Sequence, residues 1–135
     1  MENGKIRVIV DNPIKVLSSI QIAYSAVGRR QPNRSAYYIG YFYCVNNLLT
    51  SKLKVISNGV VPNGGGTEIG TSIVNTLPCP AGSITAELEI VSLNSTTSQL
   101  TWTLYNSGNV AFAVVSGTDT TLSLQTTGQW GTWGF

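Results

Sequence analysis

The sequence predicts an all-β protein, an antiparallel β-sandwich of eight to nine strands. Three observations carry that prediction. Short segments alternate apolar and polar residues with the period of two expected of a half-buried strand. Gly, Pro, Asn and Ser clusters punctuate these segments about every 8–12 residues, the spacing of a sandwich or barrel. No segment combines a 3.6-residue period with the capping residues of a helix.

The clearest segment is QLTWTLYNSGNVAFAVVSG, residues 99–117. Leu100, Trp102 and Leu104 alternate with Thr101, Thr103 and Tyr105. Asn106-Ser107-Gly108-Asn109 supplies residues that accept positive φ or bond their own backbone, so this reads as a hairpin. Val110, Phe112 and Val114 then resume the alternation, which places Phe112 with Leu100, Trp102 and Leu104 in the core.

The first strand is residues 5–10, with Ile6, Val8 and Val10 on one face and Lys5, Arg7 and Ile9 on the other; Pro13 ends it. Residues 14–27 read as one long strand bent near Ser18, its β-branched residues arguing against helix. Residues 28–35, GRRQPNRS, read as a basic loop in which Arg29, Arg30 and Arg34 either grip an anion or are simply solvated. Residues 36–45, AYYIGYFYCV, are apolar on both faces, with Tyr37, Ile39, Tyr41 and Tyr43 on one and Tyr38, Phe42 and Cys44 on the other. Such a strand is central or covered by another chain.

Asn46-Asn47 turns the chain into residues 48–57, with Leu49, Leu53 and Val55 inward and Lys52 and Lys54 outward. The glycine-rich stretch 58–66 lacks the Lys-Ser/Thr and helix of a phosphate-binding loop and reads as a connector. Residues 67–77 are a strand closed by Pro78-Cys79-Pro80. Residues 83–93 follow, with Ile84, Ala86, Leu88 and Ile90 inward and Glu87 and Glu89 outward; a last strand spans 119–126. The single domain is therefore 1–127, followed by an aromatic tail, 128–135, whose Trp130, Trp133 and Phe135 need cover from their own sheet or from a neighbour.

Charged residues are only 10% of the chain, against about 25% in ordinary soluble domains, and Ser and Thr fill the polar positions. The charge is segregated. All eight basic residues lie within residues 5–54, which gives residues 1–60 a charge of +6, while residues 61–135 carry −4. Either the segregation is incidental, or it orients neighbouring copies or faces an anion.

His is absent, which excludes Ser-His-Asp and Cys-His catalysis. Cys44 and Cys79 lack zinc-site spacing, and nothing points to a cofactor or to an enzyme. With no helix for a groove and a net charge of +2, a sequence-specific nucleic-acid reader is not expected. No apolar run reaches the ~20 residues of a membrane-spanning helix, and the N-terminus has no signal-peptide pattern. Cys44 and Cys79 can pair, but without an export signal two buried thiols are the expected state. Asn33-Arg34-Ser35 and Asn94-Ser95-Thr96 fit the N-glycosylation pattern, and on the same ground are read as plain loops.

The strand count, the size, the charge-poor Ser/Thr/Asn/Tyr-rich composition and the absence of a signal peptide resemble single jelly-roll capsid proteins of icosahedral viruses, including those of archaeal hosts. The strand pattern of residues 5–126 carries this resemblance. The stretch TWTLYNSGNVAFAVV is also similar to the hairpins of Ig-like sandwiches in archaeal and bacterial surface proteins and extracellular filaments. The first resemblance implies a jelly-roll-like coat subunit that assembles with its own copies and other coat proteins, located in a virion put together in the host cytoplasm. The second implies an Ig-like filament or surface-layer subunit outside the cell.

On either reading Trp130, Trp133, Phe135, Tyr38 and Phe42 are the candidate assembly surface. A third reading, from the aromatics alone, is a carbohydrate-binding module in which Trp102, Trp130, Trp133 and the Tyr37–Tyr43 stripe stack on a glycan.

Overall fold

A computed structural model describes residues 3–11, 13, 15–16, 23–30, 36–57, 65–120 and 129–134. The described residues contain strands and no helix. The strands are β1 (Gly4–Val10), β2 (Lys15–Val16), β3 (Tyr24–Arg30), β4 (Tyr37–Val45), β5 (Leu48–Ile56), β6 (Thr67–Glu68), β7 (Ile73–Pro78), β8 (Ile84–Ser92), β9 (Ser98–Tyr105), β10 (Ala111–Asp119) and β11 (Gln129–Gly134).

They form two sheets, as the alternation requires. The four-stranded sheet runs β1-β8-β9-β10. The seven-stranded sheet runs β11-β3-β4-β5-β6, with β2 beside β4 and β7 beside β5. In the second sheet β3, β4 and β5 are consecutive, and β11 returns from the far end of the chain to lie beside β3, which is a Greek key. The first sheet is a meander, β8-β9-β10, with β1 laid against β8. Among the described residues one Greek key is formed, where a jelly roll carries two.

The core lies between the sheets. Leu100, Trp102 and Leu104 of β9 and Ile84, Ala86, Leu88 and Ile90 of β8 meet Tyr38, Phe42, Leu49, Leu53 and Val55 of β4 and β5. Trp102 is fully buried, donates its indole N–H to Ser51 Oγ at 2.9 Å, and lies flat on Gly40, where any Cβ would overlap the ring. That close approach is the reason β4 carries a glycine in its centre.

A second buried cluster, Ala23, Val27, Tyr37, Ile39, Tyr41 and Ile56, occupies the opposite face of β3, β4 and β5. The doubly apolar segment around Tyr41 is thus a central strand, one of its two expected alternatives. Asn46 and Asn47 both take positive φ, 53° and 63°, in the two-residue hairpin turn between β4 and β5.

Several expectations are corrected. Residues 14–27 are not one strand: β2 runs parallel to β4 and β3 antiparallel, so the two pieces point in opposite directions. Residues 67–77 break into β6 and β7 at Gly70, whose φ of +72° seats its backbone against Ser116. The alternation after the 106–110 turn is shifted by a bulge between Ala111 and Ala113. One extra residue exchanges the two faces. Ala113 and Val115 are therefore buried, Val110 and Val114 are exposed, and Phe112 sits at the rim of the core rather than inside it.

Cys44 and Cys79 are joined by a disulfide that ties β4 to the segment after β7, across β5. The expected pair of buried thiols is therefore not found. The strand expected at 119–126 lies outside the described residues apart from Asp119, which ends β10, and Thr120.

Candidate functional site

The residues proposed from sequence as an assembly surface divide between the interior and an edge strand. Tyr38 and Phe42 are fully buried in the core between the sheets. Among the described residues the tail is β11, the edge strand of the seven-stranded sheet, paired with β3 from Gln129↔Arg30 to Gly134↔Tyr24. Its Trp130 packs on the core in the corner between the sheets, where a Cβ on Gly4 would come within 2.9 Å of the ring and one on Gly28 within 3.0 Å. Trp133 lies on β11 opposite Ser25, and Phe135 is outside the described residues. Residues 129–134 thus belong to the sandwich and are not a free arm.

The basic loop is corrected in the same way. On β3 the two residues Gly28 and Arg29 stand opposite the single residue Trp130, a bulge in which Arg29 takes a φ of 51°. Arg29 is fully buried. Its guanidinium donates to Ser98 Oγ at 2.7 Å and Ser92 Oγ at 2.8 Å, both on the other sheet. Beside it the Tyr38 hydroxyl donates to Asp119 Oδ2 at 2.6 Å, and Asp119 is the cross-strand partner of Ser98. This is a buried polar brace between the sheets. Charge-assisted bonds of this kind offset the desolvation of the guanidinium and carboxylate. Arg30 is the last residue of β3, and Arg34 lies outside the described residues.

The segregated charge is used within the chain. Because β1 pairs with β8, Lys5 stands opposite Glu89 and Arg7 opposite Glu87. They form ion pairs of 3.6 and 2.7 Å, with Arg7 also 5.2 Å from the centre of the Tyr105 ring. Lys52 pairs with Glu68 at 3.2 Å. Glu68 also accepts from Ser72 Oγ at 2.8 Å, and this bond, with that from Lys52, holds its carboxyl below the usual range.

Lys54, expected to face solvent, is buried; it donates to the Gly65 carbonyl at 3.1 Å and lies 5.7 Å from the centre of the Tyr41 ring. Burial, then Lys52, lowers its pKa, with Glu68 opposing. Burial, with Tyr43 and Glu68 adding, pushes the Tyr41 hydroxyl up to about 12. Among the described residues no group of three His, Cys, Asp or Glu side chains is placed to hold a metal, and no helix is long and apolar enough to cross a membrane.

The remaining candidate is the free side of β10, which the sequence analysis did not single out. Among the described residues no strand pairs beyond it. Its far end is covered, since a Cβ on Gly117 would lie 2.8 Å from the Gly70 nitrogen. Residues 111–115 are left as an edge with no charged side chain. Val110 and Val114 are 60% and 51% exposed beside it. The edge runs into a cleft of about 300 Å³ lined by Phe112, Leu77, Pro78, Pro80 and Asn106.

Three of the other edges are guarded by devices that discourage edge pairing, whereas β11, like residues 111–115, has no charged side chain. β1 presents Lys5 and Arg7; β6 presents Glu68; and β7 carries Asn75 at a φ of 54° and ends in Pro78. The signal for the β10 edge was present in the sequence as a strand uncharged up to Asp119, but its place at an edge is set by pairing and is not local.

Comparison of the chain with models of known families, with curated proteins and with solved structures finds no match.

Proposed function

We propose that this protein is a structural subunit that assembles with copies of itself, a coat or shell protein, and that the free edge of β10 is its first contact. The observation that supports this reading is the unguarded edge at residues 111–115, uncharged and flanked by exposed Val110 and Val114. In a two-fold contact each side chain meets the same surface on its partner, so charged edges oppose like with like. The β10 and β11 edges carry no such penalty, whereas β1 and β6 do, and β10 is flanked by the exposed Val110 and Val114. A two-fold contact closes at two copies, so a shell built from this pair needs a second interface.

An extracellular filament or surface-layer subunit is the second reading. The Cys44–Cys79 disulfide favours it, because such bonds persist in oxidising surroundings. For the carbohydrate-module reading, Trp102, Tyr37 and Tyr41 are buried and Trp130 packs on the core, while Tyr43 is half-buried.

Electron microscopy of the purified protein, alongside Val114→Lys, tests the proposal. Val114 faces solvent, so the substitution should change monomer stability by no more than about 0.5 kcal/mol. Ordered assemblies of the parent that vanish in the folded variant support the reading, with closed particles indicating a coat and fibres indicating the filament alternative. A parent that stays monomeric at all concentrations refutes it.

A further inference from the structure

We infer that Asn94 is a site of N-linked glycosylation. The loop between β8 and β9 carries Asn94-Ser95-Thr96 at its tip, and all three residues are exposed. The loop is closed by Leu93 N–H donating to the Thr97 carbonyl at 2.9 Å. Within it, Asn94 Oδ1 accepts from the Thr96 N–H at 2.8 Å and from the Thr96 hydroxyl at 2.9 Å. The carboxamide oxygen is thereby held against the threonine, and Nδ2, the atom a glycan joins, is left on the opposite side of the group. The threonine required by the Asn-X-Ser/Thr rule is in contact with the asparagine it would license.

The disulfide is a second, independent observation. Cys44–Cys79 marks a chain suited to an oxidising compartment, the setting in which such tripeptides are modified. The position is also compatible with the rest of the molecule. Ser98 and Asp119 pair at the loop end of β9, while Tyr105 and Ala111 pair at the other end, next to the free β10 edge. A glycan on Asn94 therefore projects from the end of the sandwich away from residues 111–115.

The reaction needs one co-reactant, a glycan activated on a lipid phosphate or pyrophosphate, and the transferase that uses it. The bond from sugar C1 to the phosphate oxygen breaks, and the lipid phosphate leaves with the electron pair. The bond from C1 to Asn94 Nδ2 forms, and Nδ2 gives up one proton. No oxidation or reduction takes place.

The test is mass analysis of the protein from its native cells. Cleavage after glutamate frees the segment beginning at Ile90, which trypsin does not release because no Lys or Arg follows Lys54. The expected result is sugar mass on that segment, lost in Asn94→Gln and in Thr96→Ala and kept in Thr96→Ser. Circular dichroism of each variant should be unchanged, because the loop is exposed. Glycan confined to Asn33, an unmodified Asn94 in the native protein, or modification that survives Thr96→Ala would each overturn the assignment.

Discussion

The two sheets of this sandwich stand in different surroundings. The four-stranded sheet buries one face: β8 alternates buried and half-buried residues along its length, and ion pairs lie on its outer side. Along β3, β4 and β5 the seven-stranded sheet buries both faces, so its polar groups have no bulk water to fall back on. Arg29, Tyr38 and Lys54 are held there by specific hydrogen bonds, and a disulfide fixes β4 to the segment after β7. The contrast assigns roles. The doubly covered sheet concentrates the specific bonds, while the singly covered sheet carries the surface, the open edge and the loop available to other molecules.

The largest expected effect is at the contact shared by both sheets. Trp102→Ala removes the ring that fills the space over Gly40 and should cost about 3–5 kcal/mol in chemical denaturation. An unchanged midpoint would show that the sheets are held together elsewhere. Next is the disulfide. Replacing Cys44 and Cys79, 35 positions apart, by Ala should cost about 3–4 kcal/mol, since the bond restricts the unfolded chain. A variant as stable as the parent would return the thiols to the dispensable role expected from sequence.

The two arginines then sharpen the comparison. Arg29→Met removes the bonds to Ser98 and Ser92 and leaves those hydroxyls without this donor, a loss of about 2–3 kcal/mol. Arg7→Ala breaks an ion pair of similar length on the wet face and should change stability little, as exposed pairs generally do. Equal effects would erase the distinction between the sheets.

The smallest effect is read at high pH. Tyr41 has its hydroxyl raised from 10.0 to about 12 in the folded protein. Between those values the unfolded chain loses the proton and the folded one keeps it. The contribution is therefore complete below pH 10 and disappears as pH rises through 12. Tyr41→Phe should flatten that alkaline decline; an unaltered decline would place the loss on other groups.

The same contrast explains what could be read from the chain. Where one face is wet, alternation names the inward residues, as it does for Ile84 to Ile90 and for Leu100, Trp102 and Leu104. It fails where the backbone adds a residue. The bulge at Ala111/Ala113 exchanged Phe112 for Val115, and the bulge at Gly28-Arg29 turned an apparent solvent arginine into a brace. Neither bulge has a local signature strong enough to read alone, because both depend on the partner strand. Pairing also decides the fate of the tail: nothing in GQWGTWGF states that it lies beside Tyr24–Arg30. The place of residues 111–115 at an edge was illegible for the same reason, since among the described residues it depends on which strands pair with β10.

Amide hydrogen exchange, followed residue by residue in dilute and in concentrated protein, tests the central claim most directly. Pairing at the β10 edge predicts that outward-facing amides of residues 111–115 exchange freely when dilute and gain protection as copies associate, with β1 and β7 unchanged. Association accompanied by new protection only on β1, β7 or β11, with residues 111–115 still exchanging freely, would contradict it.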